Sequence, residues 1–203
     1  IEYANISGER LGLTIIKSTN DGGYIIGGVS YYYNIIIKYS SDNKIEWSKE
    51  IGGGMIAGVD GIVQLNDGSY VVVLLDWTSR DIDLGNGVVL KHNGNYYNGK
   101  LLIKYNSKGE AQYVENILEN DNRGNGLIVT SDGGYAISGK FSKRVKDEAN
   151  NSIKFEYDNE VRKYNSEGEV EDDKAYIILM KSEEEAVERF VVGGFNDGSI
   201  IRD

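Results

Sequence analysis

The chain has no cysteine, no proline, one histidine and no apolar run near the length of a membrane span. Without cysteine there is no disulfide framework, no thiolate zinc site and no cysteine nucleophile. Any histidine-based triad or metal pair has only His92 to draw on, and its place between Lys91 and Asn93-Gly94 is that of an exposed loop. A membrane-spanning helix needs about 20 apolar residues, so membrane insertion is not expected. Proline at its average usage would number roughly ten, and its absence excludes Pro-rich linkers. Basic clusters are missing too. With 32 acidic residues against 22 basic ones the net charge is −10, and a nucleic-acid partner, which needs a basic stripe, is excluded.

What the chain does have is tyrosine, glycine and a repeat. Its 15 Tyr and 26 Gly favour strands joined by tight turns. Asn20-Asp21-Gly22-Gly23-Tyr24-Ile25-Ile26-Gly27-Gly28 returns as Asn66-Asp67-Gly68-Ser69-Tyr70-Val71-Val72-Val73. It returns again as Ser131-Asp132-Gly133-Gly134-Tyr135-Ala136-Ile137, and a worn copy ends in Arg189-Phe190-Val191-Val192-Gly193-Gly194. Asp and Gly tolerate the positive φ of a hairpin turn, and the apolar run behind them suits a half-buried strand.

Four segments recur in fixed order. Segment a is apolar and precedes the Asp-Gly turn, and segment b follows it. Segment c carries a basic residue and a tyrosine: Lys38-Tyr39, Lys104-Tyr105 and Lys163-Tyr164. Segment d follows a polar turn and has Trp47, Tyr113 and Asp172 nine residues after the lysine. All the runs are too short for ordinary helices, although Ser182–Arg189, which replaces the fourth Asp-Gly turn, has room for one helical turn.

This pattern predicts an all-β chain, a β-propeller of four blades with four antiparallel strands each. The blades fall at about 12–53, 60–118, 125–175, and 176–203 plus 1–8. The last assignment follows from the ends. Ile1-Glu2-Tyr3-Ala4-Asn5-Ile6-Ser7-Gly8 resembles segment d, Ile45-Glu46-Trp47-Ser48-Lys49-Glu50-Ile51-Gly52. Ser199–Asp203 resembles a segment c with no d after it. The N-terminal strand would complete the last blade and close the ring, leaving no free sheet edge. The rival architecture is an arc of a larger propeller. Extra length is confined to the b–c connections of the second and third repeats.

The Asp-Gly-Gly-Tyr-Ile-Ile-Gly-Gly, Ile-Ile-Lys-Tyr-Ser and Ile-Glu-Trp-Ser-Lys-Glu-Ile-Gly-Gly stretches resemble the tandem "DGGY" β-propeller repeats of secreted and cell-surface bacterial proteins. Ile82-Asp83-Leu84-Gly85-Asn86-Gly87-Val88 resembles a stretch common in the same repeats. The resemblance implies an extracellular or cell-surface module inside a larger multidomain protein. It carries no catalytic motif, so no enzyme is implied.

Function is therefore expected on the b–c loops, where Trp77, Tyr96, Tyr97 and Tyr32 could stack on a glycan or pack on an extracellular protein. The same aromatics, with Phe155 and Tyr157, could instead form small local cores of the longer blades. Asp81 and Asp83 stand two apart before a Gly turn, an arrangement open to calcium, but the remaining EF-hand ligands are missing. Their alternative role is an Asx-type turn with Asn86-Gly87 closing a hairpin. No other cofactor is expected. Besides the binding or adhesion module, a glycan-active enzyme with central carboxylates and a ligand-free spacer fit the composition. With 32 acids, some pair at glycosidase separation is guaranteed and therefore uninformative.

Overall fold

The computed structural model describes residues 11–30, 33–52, 57–78, 80–91, 97–119, 126–147, 152–172, 176–179 and 189–192. Every regular element among them is a β-strand. The first antiparallel sheet is β1 (Leu11–Ser18), β2 (Tyr24–Ser30), β3 (Tyr33–Tyr39) and β4 (Ile45–Gly52), side by side in chain order. The second begins with β5 (Ala57–Gln64) and β6 (Tyr70–Thr78). A two-stranded hairpin, β7 (Ile82–Asp83) and β8 (Val89–Leu90), intervenes before β9 (Tyr97–Tyr105) and β10 (Ala111–Glu119) complete the sheet. The third is β11 (Leu127–Val129), β12 (Tyr135–Asp147), β13 (Ser152–Tyr164) and β14 (Val170–Asp172), and β15 (Tyr176–Leu179) pairs with β16 (Arg189–Val192). Segments a to d of the first three repeats are thus the four strands of three sheets, and β15 and β16 are a and b of the fourth. The N-terminal segment 1–8, the acidic stretch 182–188 and the C-terminal segment 199–203 lie outside the described residues.

The Asp-Gly turns share one geometry. Gly22, Gly68 and Gly133 each donate their N–H to the carbonyl three residues back, at 3.0 Å in all three. Their φ values are 80°, 82° and 88°, a region open to Gly at no steric cost. The aspartate beside each of them does not share this conformation, since the only non-Gly residues with positive φ among those described are Asn43 and Asn86. Glycine alone supplies the bend, and the acid has another task. The c–d turns repeat the pattern, with Asn43, Gly109 and Gly168 in the left-handed region. In the first sheet, Tyr24 pairs with Tyr39 beside these turns and Ser30 with Tyr33 at the far end. The Asp-Gly and c–d turns therefore share one end of the sheet, and the b–c connection leaves from the other.

The chain divides into two compact units, Ile1–Asn122 and Arg123–Asp203. In the first unit two sheets stack face to face. Ile25, Ile36 and Ile51, with Ile15 and Trp47, meet Tyr70, Val72, Leu74, Leu101, Ile103 and Tyr105 of the second sheet in one core. Because side chains alternate along a strand, Ile26, Ile35 and Ile37 form a separate cluster with Tyr24 and Tyr39 on the other face of the first sheet. Buried Asn34 ties the two sheets together. Gly58 donates its N–H to Asn34 Oδ1 at 2.6 Å, and Asn34 Nδ2 donates to the Leu75 carbonyl at 2.9 Å.

The two long b–c connections are built differently. In the second repeat, Gly85 to Val88 closes the β7–β8 hairpin, with Val88 N–H donating to the Gly85 carbonyl at 2.9 Å. Asn86 and Gly87 both have positive φ, 51° and 78°, the signature of a type I′ turn. Ile82 is buried in the unit's core, and Leu84, Val88 and Leu90 pack against it. The hairpin is thus part of the core. In the second unit the extra residues instead lengthen β12 and β13, which pair without interruption from Tyr135–Tyr164 to Asp147–Ser152.

Candidate functional site

The most distinctive residues of the repeat form a cluster at the turn end of each sheet. Lys38, whose side chain is 1% exposed, reaches Asp21 Oδ2 at 2.8 Å and Glu46 Oε2 at 2.9 Å. Its ammonium also donates to the Tyr39 carbonyl at 2.8 Å, so all three donors are used. Asp21 Oδ1 meanwhile accepts from the Thr19 hydroxyl and the Gly23 N–H. The hydrogen bond from Lys38, followed by those from Thr19 and Gly23, holds the Asp21 carboxyl far below the usual carboxylate range. Burial pulls the Lys38 ammonium toward neutrality, but Asp21 and Glu46 outweigh it and its pKa ends up raised.

The third repeat builds the same cluster. Lys163 pairs with Asp132, and with Glu171 at 2.8 Å. Chiefly through Lys163 and Thr130, the Asp132 carboxyl is lowered to about 2. Glu46 and Glu171 are each the extra residue of a β-bulge in the d strand, and a bulge re-aims a side chain. In the second repeat the bulge residue is Gln112. There burial opposes ionisation of Asp67, but hydrogen bonds from Ser69 and the charge of Lys104 keep its carboxyl lowered. The sequence displays the Asp and the Lys in every one of these repeats, but the pairing needs the hairpin register that brings segment c alongside the turn.

Trp47 marks the seam between the two sheets of the first unit. Its ring meets Tyr70 edge-on with centroids 5.5 Å apart and lies 6.1 Å from Tyr105. Its indole N–H donates to the Ser107 carbonyl at 3.2 Å. A Cβ on Gly109 would stand 2.6 Å from the ring, so that turn needs glycine twice over, for its φ and for the room. Beneath Trp47, the buried Tyr105 hydroxyl has no hydrogen-bond partner among the described residues, and burial pushes its pKa up.

The residues expected to bind a ligand fall elsewhere. Trp77 lies in β6 opposite Asn98, and Tyr97 lies in β9 opposite Thr78. Tyr96, Tyr32 and His92 lie outside the described residues. Phe155 and Tyr157 belong to β13, opposite Arg144 and Ser142, so they stand in a strand and not in a loop. Asp81 accepts from Lys91 Nζ at 2.8 Å, and Asp83 Oδ1 accepts the Gly85 N–H at 2.9 Å. The latter is the Asx-type turn expected from the sequence. Among the described residues no three His, Cys, Asp or Glu side chains gather as a metal site would require.

Fold and site together define an all-β chain of four-stranded antiparallel sheets, in which Asp–Lys pairs hold the turn ends of the first and third sheets. No family model matches the sequence, and no curated protein is similar to it.

Proposed function

We propose that the chain is a non-catalytic binding or adhesion module of a secreted or surface-attached bacterial protein. Its sheets are the blades of a four-bladed β-propeller, and residues 1–8 supply the outer strand of the last blade. The observation that carries this reading is the asymmetry of the sheets. At one end, turns of uniform length are locked by repeated Asp–Lys pairs. At the other, the b–c connections differ in length and architecture, which is where a scaffold of repeats varies its contacts. Tyr96 and Tyr32 fall in the b–c connections of the sequence, and Trp77 near the end of β6 and Tyr97 at the start of β9 flank the longer of the two. These four would offer apolar rings with polar edges to a glycan or an extracellular protein. The module would sit within a larger multidomain chain.

A glycan array and a panel of extracellular-matrix proteins test the proposal. A hit that weakens at least tenfold in Trp77→Ala or Tyr97→Ala, with the melting temperature unchanged, is the expected result. No hit on either panel would leave a spacer domain as the better description.

A further inference from the structure

The seam at Trp47 has a counterpart elsewhere in the first unit. Trp47 rests on Tyr70, Tyr105 and the Ser107–Gly109 turn of the second sheet. In the repeat the equivalent residues of the first sheet are Tyr24, Tyr39 and the Ser41–Asn43 turn. Tyr24 and Tyr39 stack with centroids 4.8 Å apart, and the Tyr24 hydroxyl donates to Asn43 Oδ1 at 3.2 Å. They lie on the face of the first sheet that also bears Ile26, Ile35 and Ile37, opposite the face used against the second sheet. Tyr70 and Tyr105, under Trp47, are fully buried, whereas Tyr24 and Tyr39 are half-buried.

The rim of this face is apolar and open. Leu13 is 58% exposed and Ile16 66%, with Tyr33 and Ile45 also exposed. The register puts all four on the Tyr24–Tyr39 face, since Leu13 pairs with Gly28, Ile16 with Ile26 and Ile45 with Tyr39. The centre of the face is already a packing surface, with Ile26, Ile35 and Ile37 at most 6% exposed, and its open apolar residues lie around that centre.

We infer that this face is the socket for the chain's own N-terminal segment, with Tyr3 lying on Tyr24 and Tyr39 as Trp47 lies on Tyr70 and Tyr105. Two features select this occupant. The segment Ile1-Glu2-Tyr3-Ala4 matches Ile45-Glu46-Trp47-Ser48 position by position, with the aromatic in place. The connections also compare in length. Trp47 precedes the β5 bulge residue Asp60 by 13 residues, and Tyr3 precedes the β1 bulge residue Thr14 by 11. The two sockets differ in one respect that fits the two aromatics. Gly109 leaves room for an indole, while Asn43 brings a side chain to the same spot and narrows the site to a phenol. The inference deepens the repeat reading but does not rest on the number of blades or on any ligand, because a d strand meets the next sheet in this way in a ring of any size.

The absence of cysteine allows a clean test. The full chain carrying Tyr3→Cys and Ser41→Cys is treated with a short bismaleimide, beside a control carrying Tyr3→Cys and Ser107→Cys. Docking predicts an intrachain cross-link in the first protein at least tenfold more abundant than in the control, read by peptide mass mapping. Cross-links between chains would show that a second copy occupies the face. Equal yields in the two proteins, or none in either, would also overturn the inference. A companion measurement guards against misfolded cysteine variants: Tyr3→Ala should raise amide hydrogen exchange at Ile26, Ile35 and Ile37, Tyr3→Phe should not, and unchanged exchange in Tyr3→Ala counts against docking. A blank glycan array leaves this result untouched, so the two proposals fail separately.

Discussion

Lys38 illustrates how a charged side chain can be carried inside a sheet. Its cost of burial is offset by two carboxylates and a carbonyl, and removing one partner of a buried pair leaves the other uncompensated. Because Asp21 and Glu46 are nearly half exposed, water would recover part of the loss. Lys38→Ala is therefore expected to destabilise the protein by about 2 kcal/mol, measured by urea unfolding. Protonation should act in the same direction. Asp21 and Asp132 titrate lower folded than unfolded, so their stabilisation is complete above the unfolded carboxylate range of about 4 and fades as pH falls toward about 2. Melting temperatures recorded from pH 6 to pH 2 should drop through this window, and the drop should be shallower in a chain carrying Asp21→Asn and Asp132→Asn. Tyr105 is the opposite case. Its buried hydroxyl has no partner among the described residues, so Tyr105→Phe should be neutral or stabilising by up to about 1 kcal/mol, and a clear loss would reveal a hidden hydrogen bond.

At the scale of elements, the β7–β8 hairpin shows how an insertion can become core. Its turn was readable from Asn86-Gly87, and the role of Asp83 as an Asx acceptor from the Gly85 that follows it. Its packing was not, because whether Ile82 faces water or another sheet depends on residues far away in sequence. With Ile82 buried, Ile82→Ala is expected to cost about 2–4 kcal/mol. Replacing residues 81–91 with a Gly-Ser linker of equal length should cost at least as much. Thermal melts of both variants check this, and native-like melting of the linker variant would show that the hairpin is dispensable. The Trp47 seam obeys similar logic. The aromatic was visible in the sequence as a recurring d residue, but its need for a glycine in the next repeat emerges only when two sheets meet.

For the whole molecule, three four-stranded antiparallel meanders stand where the sequence pattern predicts them, and the proposed ring of four blades has a test of its own. A closed ring would leave no free edge strand, and under that proposal the isolated chain should elute as a monomer and melt in one cooperative transition. An open arc should self-associate or melt gradually, a difference visible by size-exclusion chromatography with light scattering and by calorimetry.

The sequence by itself determined the a to d strands, their order and the turns, but not that the insertion of the third repeat lengthens β12 and β13. Those follow from φ preferences, two-residue periodicity and the spacing of Asp-Gly pairs, all local quantities. The tertiary structure alone decided which repeated residues serve the scaffold. Asp21, Lys38 and Glu46 look in sequence like separate charges. They become one cluster only when hairpin register and a bulge bring them within 3 Å of a shared ammonium. Burial and pairing depend on contacts between distant segments, and no local pattern encodes them.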